Sequence, residues 1–213
     1  MTIASLIKRT PADPIIDKFL SLCRKRNYAA KKVIINEGEE SDTLYYIVRG
    51  SVSVQSENDN GNEVIFAYIN EGEFFGEIGF FENDQRTALI VARAECEIAE
   101  ISYEDCRNFI KEEPELLMRL SKQMAHRLRR TSQTVRNLIF LDVTGRIASI
   151  LRELAKEPDA MTHPDGMQIR ITRQDIAKMV GCSREMAGRV LKELESDGLI
   201  NAHGKTIVVY GTR

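Results

Sequence analysis

The segment GEIGFFENDQRTA, residues 76–88, places one carboxylate and one guanidinium, Glu77 and Arg86, among Phe, Ile and Ala residues. An unpaired charge in an apolar interior is costly. The two side chains therefore pair with each other, or both reach solvent, or bind a ligand that offers a hydroxyl and an anion. A carboxylate accepts from a hydroxyl, and a guanidinium donates to a phosphate.

Three neighbouring features favour the ligand. Thr87 adds a hydroxyl beside Arg86, and Gly76 leaves room for close approach of the backbone. The letters EIGFF predict one helical turn whose free N–H groups face the same anion. The sequence has no P-loop and no carboxylate cluster of the kind that binds Mg²⁺. These features predict a cyclic nucleotide rather than a free triphosphate, with Glu77 on the ribose 2′-OH.

The residues around this segment predict short β-strands. After a short helix at PADPIIDKFLSLC, residues 28–102 contain runs of β-branched and aromatic residues separated by glycines. In GSVSV, Val52 and Val54 point to one side and Ser51 and Ser53 to the other. NDNGNE at 58–63 predicts a hairpin turn. Many short strands with glycine turns indicate a jelly-roll sandwich or barrel.

A long helix follows from Leu116, because more than twenty residues lack Gly and Pro. Apolar spacing of three and four gives a narrow seam suited to one partner helix, and a parallel homodimer is favoured over a helix that only lies on its own barrel. The predicted seam positions are Leu117, Ser121, Met124, Leu128, Thr131, Val135 and Leu138. The hydroxyls of Thr131 and the adjacent Ser132 either set the register of the seam or contact a base edge of the ligand.

The C-terminal part predicts a helix-turn-helix. Asp142 caps a helix over VTGRIASILRELAKE, which ends before a polar loop at PDAMTHPDGM. Thr172 and Ser183 cap two short helices around a turn at Gly181, and INAHGKTIVVY predicts two strands that form a wing. On the second helix the polar face carries Arg184, Glu185 and Arg189. Arg can bond guanine and Glu can accept from cytosine in the major groove, so these residues predict a G·C-containing half-site.

The quoted motif, with TLYYIVRGSVSV and CEIAEISY beside it, resembles the cyclic AMP receptor protein (catabolite activator protein) family of bacterial transcription regulators. The resemblance implies cyclic AMP as the allosteric ligand, with the ribose on Glu77 and the phosphate on Arg86 and Thr87. It also implies that adenine is contacted by Thr131 of one subunit and Ser132 of the other. Gly76 belongs to the same predicted ligand site.

The resemblance extends to the DNA-binding part and to a protein partner. It implies a TGTGA-like half-site read by the three residues named above, within a palindromic double-stranded DNA site. The predicted phosphate contacts are Thr172, Arg173, Ser183, His203 and Lys205. A contact with RNA polymerase is implied for Ala160, Thr162, His163 and Gly166.

We therefore predict an α+β fold with three parts. These are an N-terminal jelly-roll β-barrel that binds the cyclic nucleotide (residues 1–115), a long dimerisation helix and hinge (116–141) and a C-terminal winged helix-turn-helix (142–213). Their Lys+Arg and Asp+Glu counts, 13 and 22, 6 and 0, and 11 and 10, give net charges of −9, +6 and +1. The helix's basic residues are expected to offset the acidic barrel rather than bind DNA.

Composition narrows the remaining alternatives. No apolar run long enough to span a membrane and no signal peptide is found, so we expect a cytosolic protein without membrane contact. No histidine occurs in the first 125 residues, which excludes a jelly-roll enzyme with a His-ligated metal, and no catalytic site is predicted. Cys23 stands alone near the N-terminus, where an iron–sulfur sensor would need a cluster of cysteines. A regulator of the same fold that responds to cyclic di-GMP, or to no ligand, stays open.

Overall fold

The computed structural model describes residues 13–82 and 85–212 of the 213-residue chain. Residues 1–12 of the predicted barrel domain and Arg213 of the predicted winged domain lie outside these ranges, as do residues 83 and 84 of the motif. The first helix, α1 (Pro14–Leu22), begins where expected because the Asp13 carboxylate accepts from the N–H groups of Ile15 and Ile16 at 3.2 and 3.4 Å. Pro14 stands in the first turn, where its missing N–H costs nothing.

Two four-stranded antiparallel sheets follow, in the orders β1-β8-β3-β6 and β2-β7-β4-β5. Their strands are β1 (Arg24–Tyr28), β2 (Val33–Ile35), β3 (Thr43–Arg49), β4 (Ser51–Glu57), β5 (Glu63–Asn70), β6 (Phe74–Phe75), β7 (Leu89–Ala92) and β8 (Cys96–Ser102). Apolar side chains from both sheets, among them Ile47, Val52, Ile90 and Ile98, form one buried cluster. The arrangement is a double-sheet jelly roll, as the strand pattern predicted.

Local sequence accounts for the connections. The β4–β5 hairpin turns at the predicted NDNGNE segment, where Gly61 has φ +77° and its N–H donates to Asn58 O at 2.8 Å. Val52 is buried in the sandwich as expected, but Ser53 is buried too, because its hydroxyl donates to Val91 O and accepts from Gln55. A short helix, α2 (Glu77–Glu82), forms where the EIGFF turn was predicted.

Two further helices cover the first sheet. These are α3 (Tyr103–Glu112), a helix that was not predicted, and α4 (Glu115–Phe140). Leu116 and Leu120 at the start of α4 pack with Phe19, Phe74 and Phe109 in a second buried cluster. At 26 residues α4 extends about 39 Å, so its later turns run beyond the jelly roll.

The C-terminal part contains α5 (Val143–Leu154), β9 (Met161–His163), β10 (Gly166–Arg170), α6 (Arg173–Val180), α7 (Arg184–Ser196), β11 (Ile200–His203) and β12 (Thr206–Tyr210). The four strands form one sheet in the order β11-β12-β10-β9 beside the helix-turn-helix. Asp142 Oδ1 accepts from Gly145 N at 2.8 Å, so the predicted cap of α5 is present. The predicted wing is the β11–β12 hairpin.

The segment PDAMTHPDGM differs from its prediction. It was expected to be a polar loop, yet β9 and β10 pair within it, with Gly166 opposite His163 and Met167 opposite Thr162. The reason is long-range: β10 also pairs with β12, so the wing sheet recruits a segment whose own composition is typical of a turn.

Candidate ligand cavity and nucleic-acid interface

A cavity of about 530 Å³ lies where the jelly roll, α4 and the helix-turn-helix part meet. Its volume is within the range of small-molecule sites. Five of the six predicted ligand residues line it: Gly76, Glu77, Arg86, Thr87 and Thr131. Ser132 is exposed on α4 and does not line the cavity of its own chain. The structure therefore brings the motif and the helix together around one space.

Arg86 is charged and only 8% exposed, and three hydrogen bonds hold its guanidinium. Its Nη1 donates to Gly76 O at 3.3 Å and to Tyr103 Oη at 3.0 Å, and its Nη2 donates to Thr43 O at 2.9 Å. The guanidinium also lies 5.5 Å from the Tyr45 ring centroid. All of these partners are neutral, so the positive charge is not cancelled by an ion pair within residues 13–82 and 85–212.

Part of the Arg86 donor capacity stays available. A guanidinium has N–H groups on Nε as well as on both terminal nitrogens. Nε and the second hydrogen of Nη2 make no hydrogen bond to a described residue, and neither nitrogen is a fully buried unsatisfied atom. A fork of two N–H donors in this geometry matches a phosphate. Thr87 is exposed beside it and lines the same cavity.

Glu77 begins α2 and is 7% exposed. Its Oε1 accepts from Arg127 Nη1 of α4 at 2.7 Å, and Arg127 also donates to Phe74 O. Hence Glu77 does not pair with Arg86 and is mostly shielded from solvent, so neither structural alternative that the sequence left open describes it. Oε2 of Glu77 has no hydrogen bond to any described residue and is not fully buried, so it can accept from a ligand hydroxyl.

Sequence reasoning did not place Arg127 at the site. It assigned the basic residues of α4 to the neutralisation of the acidic jelly roll, and Arg127 does this through Glu77 and, at 3.9 Å, Glu73. The signal that could have found it is spacing: Arg127 stands four residues before Thr131, so both lie on one face of α4.

Gly76 is required for a different reason from the one expected. Its φ is +79°, and a Cβ there would lie 2.7 Å from Arg86 Nη1. The space that a side chain would fill is occupied by the guanidinium. Gly76 therefore permits the position of Arg86 as well as the approach of a ligand.

The helix-turn-helix part closes one side of the cavity. Ile65 and Tyr68 of β5 belong to the buried cluster of this part, and Arg130 Nη1 of α4 lies 2.7 Å from Glu157 Oε1. Asn70 Nδ2 donates to Glu157 Oε2 at 2.8 Å. Burial raises the pKa of Glu157, while Arg130 opposes this shift. A charged contact therefore joins the cavity wall to the part that carries α7.

The predicted seam of α4 is uncovered in the single chain. Leu128, Val135 and Leu138 are 69%, 50% and 53% exposed. The buried residues Leu116 and Leu120 face the jelly roll, so the exposed row is a second face of the helix. An apolar row of this kind fits a partner helix.

The helix-turn-helix has the expected caps and turn. Thr172 Oγ1 accepts from Asp175 N at 3.0 Å, and Ser183 Oγ accepts from Met186 N at 3.1 Å. Gly181 ends α6 with φ +72°. Ala187, Val190, Leu191 and Leu194 of α7 are buried, whereas the predicted base-reading residues Arg184, Glu185 and Arg189 are exposed.

The predicted phosphate contacts lie beside that exposed face. A shallow depression of about 480 Å³ is lined by Thr172, Arg173, Gln174, Arg184, Gly204 and Lys205. Ser183 and His203 are exposed but do not line it. The depression joins the helix-turn-helix to the tip of the wing, so basic side chains and helix N-termini face one surface.

The predicted polymerase contacts stand at the β9–β10 hairpin. Thr162 is exposed and His163 is partly exposed, with Nδ1 accepting from Asp165 N at 3.3 Å. Ala160 is half-buried. Gly166 is buried, and a Cβ there would lie 2.1 Å from Val209 O, which gives Gly166 a packing role between β10 and β12.

No group of His, Cys, Asp and Glu that could hold a metal ion occurs in the described ranges. Cys23, Cys96, Cys106 and Cys182 are free thiols, and burial raises the pKa of Cys23 and Cys106 to about 12. Within the same ranges, no helix has the length and apolar character needed to cross a membrane.

Comparison with known proteins gives matches for both ends of the chain. A family model of the cyclic nucleotide-binding domain matches residues 25–113, and one of the Crp-like helix-turn-helix domain matches residues 145–210. The cAMP-activated global transcriptional regulator CRP of Salmonella typhimurium is 56% identical over 209 residues, covering 98% of this chain and 100% of the relative. The cAMP-activated global transcriptional regulator Vfr of Pseudomonas aeruginosa is 52% identical over 211 residues, covering 97% and 99%.

A solved structure gives a further comparison. The c-di-GMP responsive global regulator CLP of Xanthomonas campestris superimposes with a TM-score of 0.84 at 44% identity, covering 93% of this chain and 99% of CLP.

Proposed function

Because the chain belongs to the cyclic AMP receptor protein family of bacterial transcription regulators, we propose that it binds cyclic AMP and, in response, a specific DNA sequence. The relatives at 52% and 56% identity are transcription regulators, and both are described as cAMP-activated. We propose that the protein acts as a regulator and not as an enzyme.

The observation that carries this proposal is the buried Arg86, which lines the cavity with Glu77 and keeps N–H groups on Nε and Nη2 without a hydrogen bond to a described residue. A cyclic phosphate accepts from Nε and Nη2 of Arg86 and from the Thr87 hydroxyl. The ribose 2′-OH donates to the free Oε2 of Glu77. With the ribose and phosphate so placed, the base reaches α4, where Thr131 lines the cavity. The adenine contact of Ser132 requires the partner subunit.

Calorimetric titration tests the ligand assignment. Wild-type protein and Arg86→Leu are titrated with cyclic AMP, cyclic GMP and cyclic di-GMP. Arg49→Leu is the matched control, since Arg49 is exposed and, among residues 13–82 and 85–212, forms an ion pair with the exposed Glu95 alone. We expect cyclic AMP to bind wild type and the control alike and to lose at least ~100-fold in affinity with Arg86→Leu, because a charge-assisted pair of bonds is removed. Equal binding by wild type and Arg86→Leu would show that Arg86 does not bind the phosphate.

Cyclic di-GMP is the second candidate ligand. The regulator CLP is described as responsive to it, and CLP shares 44% identity with this chain. The cavity of about 530 Å³ is also lined by Arg127 and Arg130, which add positive charge for a second phosphate. In the same titration, heats seen only with cyclic di-GMP would favour this ligand.

The active form is proposed to be a homodimer joined along α4. The exposed row of Leu128, Val135 and Leu138 supports a parallel pair of helices. Ligand that contacts both subunits then selects one arrangement of the two recognition helices. Changing such an equilibrium from 1:99 to 99:1 needs ~5.5 kcal/mol of differential affinity.

The two copies of α7 are proposed to read a palindromic TGTGA-like site through Arg184, Glu185 and Arg189. In helix-turn-helix dimers, of which catabolite activator protein is a standard example, half-site centres lie ~34–36 Å apart. A gel-shift series on such a palindrome, with and without cyclic AMP, tests the coupling. Equal affinity in both conditions would show that the nucleotide does not control DNA binding.

The β9–β10 hairpin is proposed to contact RNA polymerase through Ala160, Thr162, His163 and Gly166. The exposed Thr162 and partly exposed His163 support the surface role, whereas the buried Gly166 shapes the hairpin. In transcription assays on a bound promoter, Thr162→Ala is expected to lower activation without changing operator affinity. Unchanged activation would argue against this contact.

A further inference from the structure

The Tyr103 hydroxyl lies directly against the Arg86 guanidinium, in a part of the chain that the sequence did not connect with the ligand site. We propose that Tyr103, supported by Ser41, is a positioning residue that aims Arg86 at the phosphate of the nucleotide. This inference rests on the proposed function and extends it to residues outside the 76–88 motif.

The direction of each hydrogen bond around Tyr103 follows from its partners. Arg86 Nη1 can only donate, and it lies 3.0 Å from Tyr103 Oη. The carbonyl of Gly76 can only accept, so the single Tyr103 proton is donated to Gly76 O at 2.6 Å. Ser41 Oγ at 2.5 Å must then donate to Tyr103 Oη. The chain from Ser41 through Tyr103 therefore presents a neutral acceptor to Arg86, with every proton assigned.

The fold holds this chain in place. Tyr103 is the first residue of α3, after the Ser102 cap, and its N–H donates to Asp42 O at 2.8 Å. Tyr103 is 5% exposed, and its ring meets that of Phe80 edge to face with the ring centroids 5.4 Å apart. The Tyr103 hydroxyl therefore has little freedom to move with Arg86. Its position determines where the Arg86 guanidinium lies.

Gly79 gives independent support, because the Ser41–Tyr103 pair occupies the space that a side chain there would need. A Cβ at Gly79 would lie 2.0 Å from Ser41 Oγ and 2.8 Å from Tyr103 Oη. Any other residue at this position of α2 would displace the Ser41–Tyr103 pair. Together with Gly76, whose Cβ would meet Arg86 itself, two glycines of the motif leave room for one hydrogen-bonded chain.

The consequence for binding is geometric and electrostatic. Tyr103 and Gly76 engage both hydrogens of Nη1, which leaves the Nε and Nη2 edge for the ligand. Because the partners are neutral, Arg86 keeps its full charge for the phosphate. Removal of the Tyr103 hydroxyl allows other side-chain conformations of Arg86 and is expected to weaken cyclic AMP binding about 10-fold, the usual size of one hydrogen bond to a charged group.

The test is a double-mutant cycle measured by calorimetry with cyclic AMP. The variants are Tyr103→Phe, Arg86→Lys and the double variant, with Tyr28→Phe as matched control because its hydroxyl bonds Glu100 and neither residue lines the cavity. A lysine cannot use the aimed edge, so Tyr103→Phe should cost about 10-fold in wild type and less than 2-fold in the Arg86→Lys background. Ser41→Ala, which leaves the tyrosine hydroxyl in place, should cost a smaller factor.

Each result decides between the roles. A loss of the same factor in both backgrounds means that Tyr103 acts on the fold and not through Arg86, which overturns the inference. Binding by Tyr103→Phe within 2-fold of wild type also overturns it and leaves the proposed function intact. If wild type binds no cyclic nucleotide, the proposed function fails and this inference fails with it.

Discussion

Replacement of Arg127 by Met is expected to destabilise the protein, because it leaves the buried Glu77 carboxylate without its ion-pair partner. The two side chains are 24% and 9% exposed and lie 2.7 Å apart. Breaking a fully buried pair costs about 3–5 kcal/mol, and the partial exposure of Arg127 reduces this to about 2–3 kcal/mol. For a chain of this length, each kcal/mol lowers Tm by about 2–4 °C, so Arg127→Met should lower Tm by about 4–12 °C.

Calorimetric unfolding without ligand is the assay, and the neighbouring Arg129 supplies the control. Arg129 is exposed on the same helix, and no ion pair to it is found among the described residues. Arg129→Met should therefore lower Tm by no more than about 2 °C. The double variant Glu77→Gln with Arg127→Met removes both charges and should recover part of the loss. Equal effects of the two single variants, or no recovery in the double variant, would refute the reasoning that an uncompensated buried charge is responsible.

Three further predictions concern DNA binding, assembly and alkaline stability. Glu185→Ala should relax specificity at one base pair by about 1–3 kcal/mol. Lys205→Ala should weaken binding to all DNA sequences alike and reduce the slope of log affinity against log salt concentration by about 1. Gel shifts over a range of salt concentrations and DNA sequences separate the two effects. Leu128→Glu should shift the particle from the proposed dimer to a monomer in light scattering while leaving the circular dichroism spectrum unchanged, and a dimer that persists would contradict the α4 seam. Burial raises the folded-state pKa of several thiols and phenols to about 12, so the folded state keeps protons that the unfolded state loses, and urea titrations should show stability present below pH 9 and declining from about pH 9 to 12. The groups responsible are Cys23, Cys106, Tyr28 and Tyr68.

Local patterns sufficed where local physics decides. The caps at Thr172 and Ser183 and the turns at Gly61 and Gly181 formed where the residue types predicted them. The pairing of β9 depends instead on β10 and β12, and α6 and α7 lie between these two strands in sequence. No pattern within PDAMTHPDGM reveals such a partner.

The candidate site shows the same division. Glu77 and Arg86 were found because charges are unusual among apolar residues. Tyr103, Ser41 and Arg127 were not found, because a tyrosine or serine after a strand and an arginine on a helix are ordinary in sequence. Tyr103 and Arg127 contact the motif across 17 and 50 residues of the chain, and Ser41 contacts Tyr103 across 62 residues. Only the folded arrangement places their hydroxyl and guanidinium groups at the site.

One turn of α4 carries Arg127, Arg130 and Thr131. Their closeness gives a physical reason why the ligand cavity and the DNA-binding part should be coupled. Arg127 holds Glu77 in the cavity, Arg130 pairs with Glu157 beyond α5, and Thr131 lines the cavity itself. A ligand that draws on Glu77 or Thr131 therefore acts on the same helical turn that holds the helix-turn-helix part. Coupling through one rigid turn requires no extended chain of intermediate residues. Loss of the contact between Arg130 and Glu157 should weaken this coupling and leave the ligand contacts intact. Glu157→Gln is thus expected to preserve cyclic AMP affinity in calorimetry and to reduce the ratio of operator affinities with and without the nucleotide; an unchanged ratio would place the coupling elsewhere.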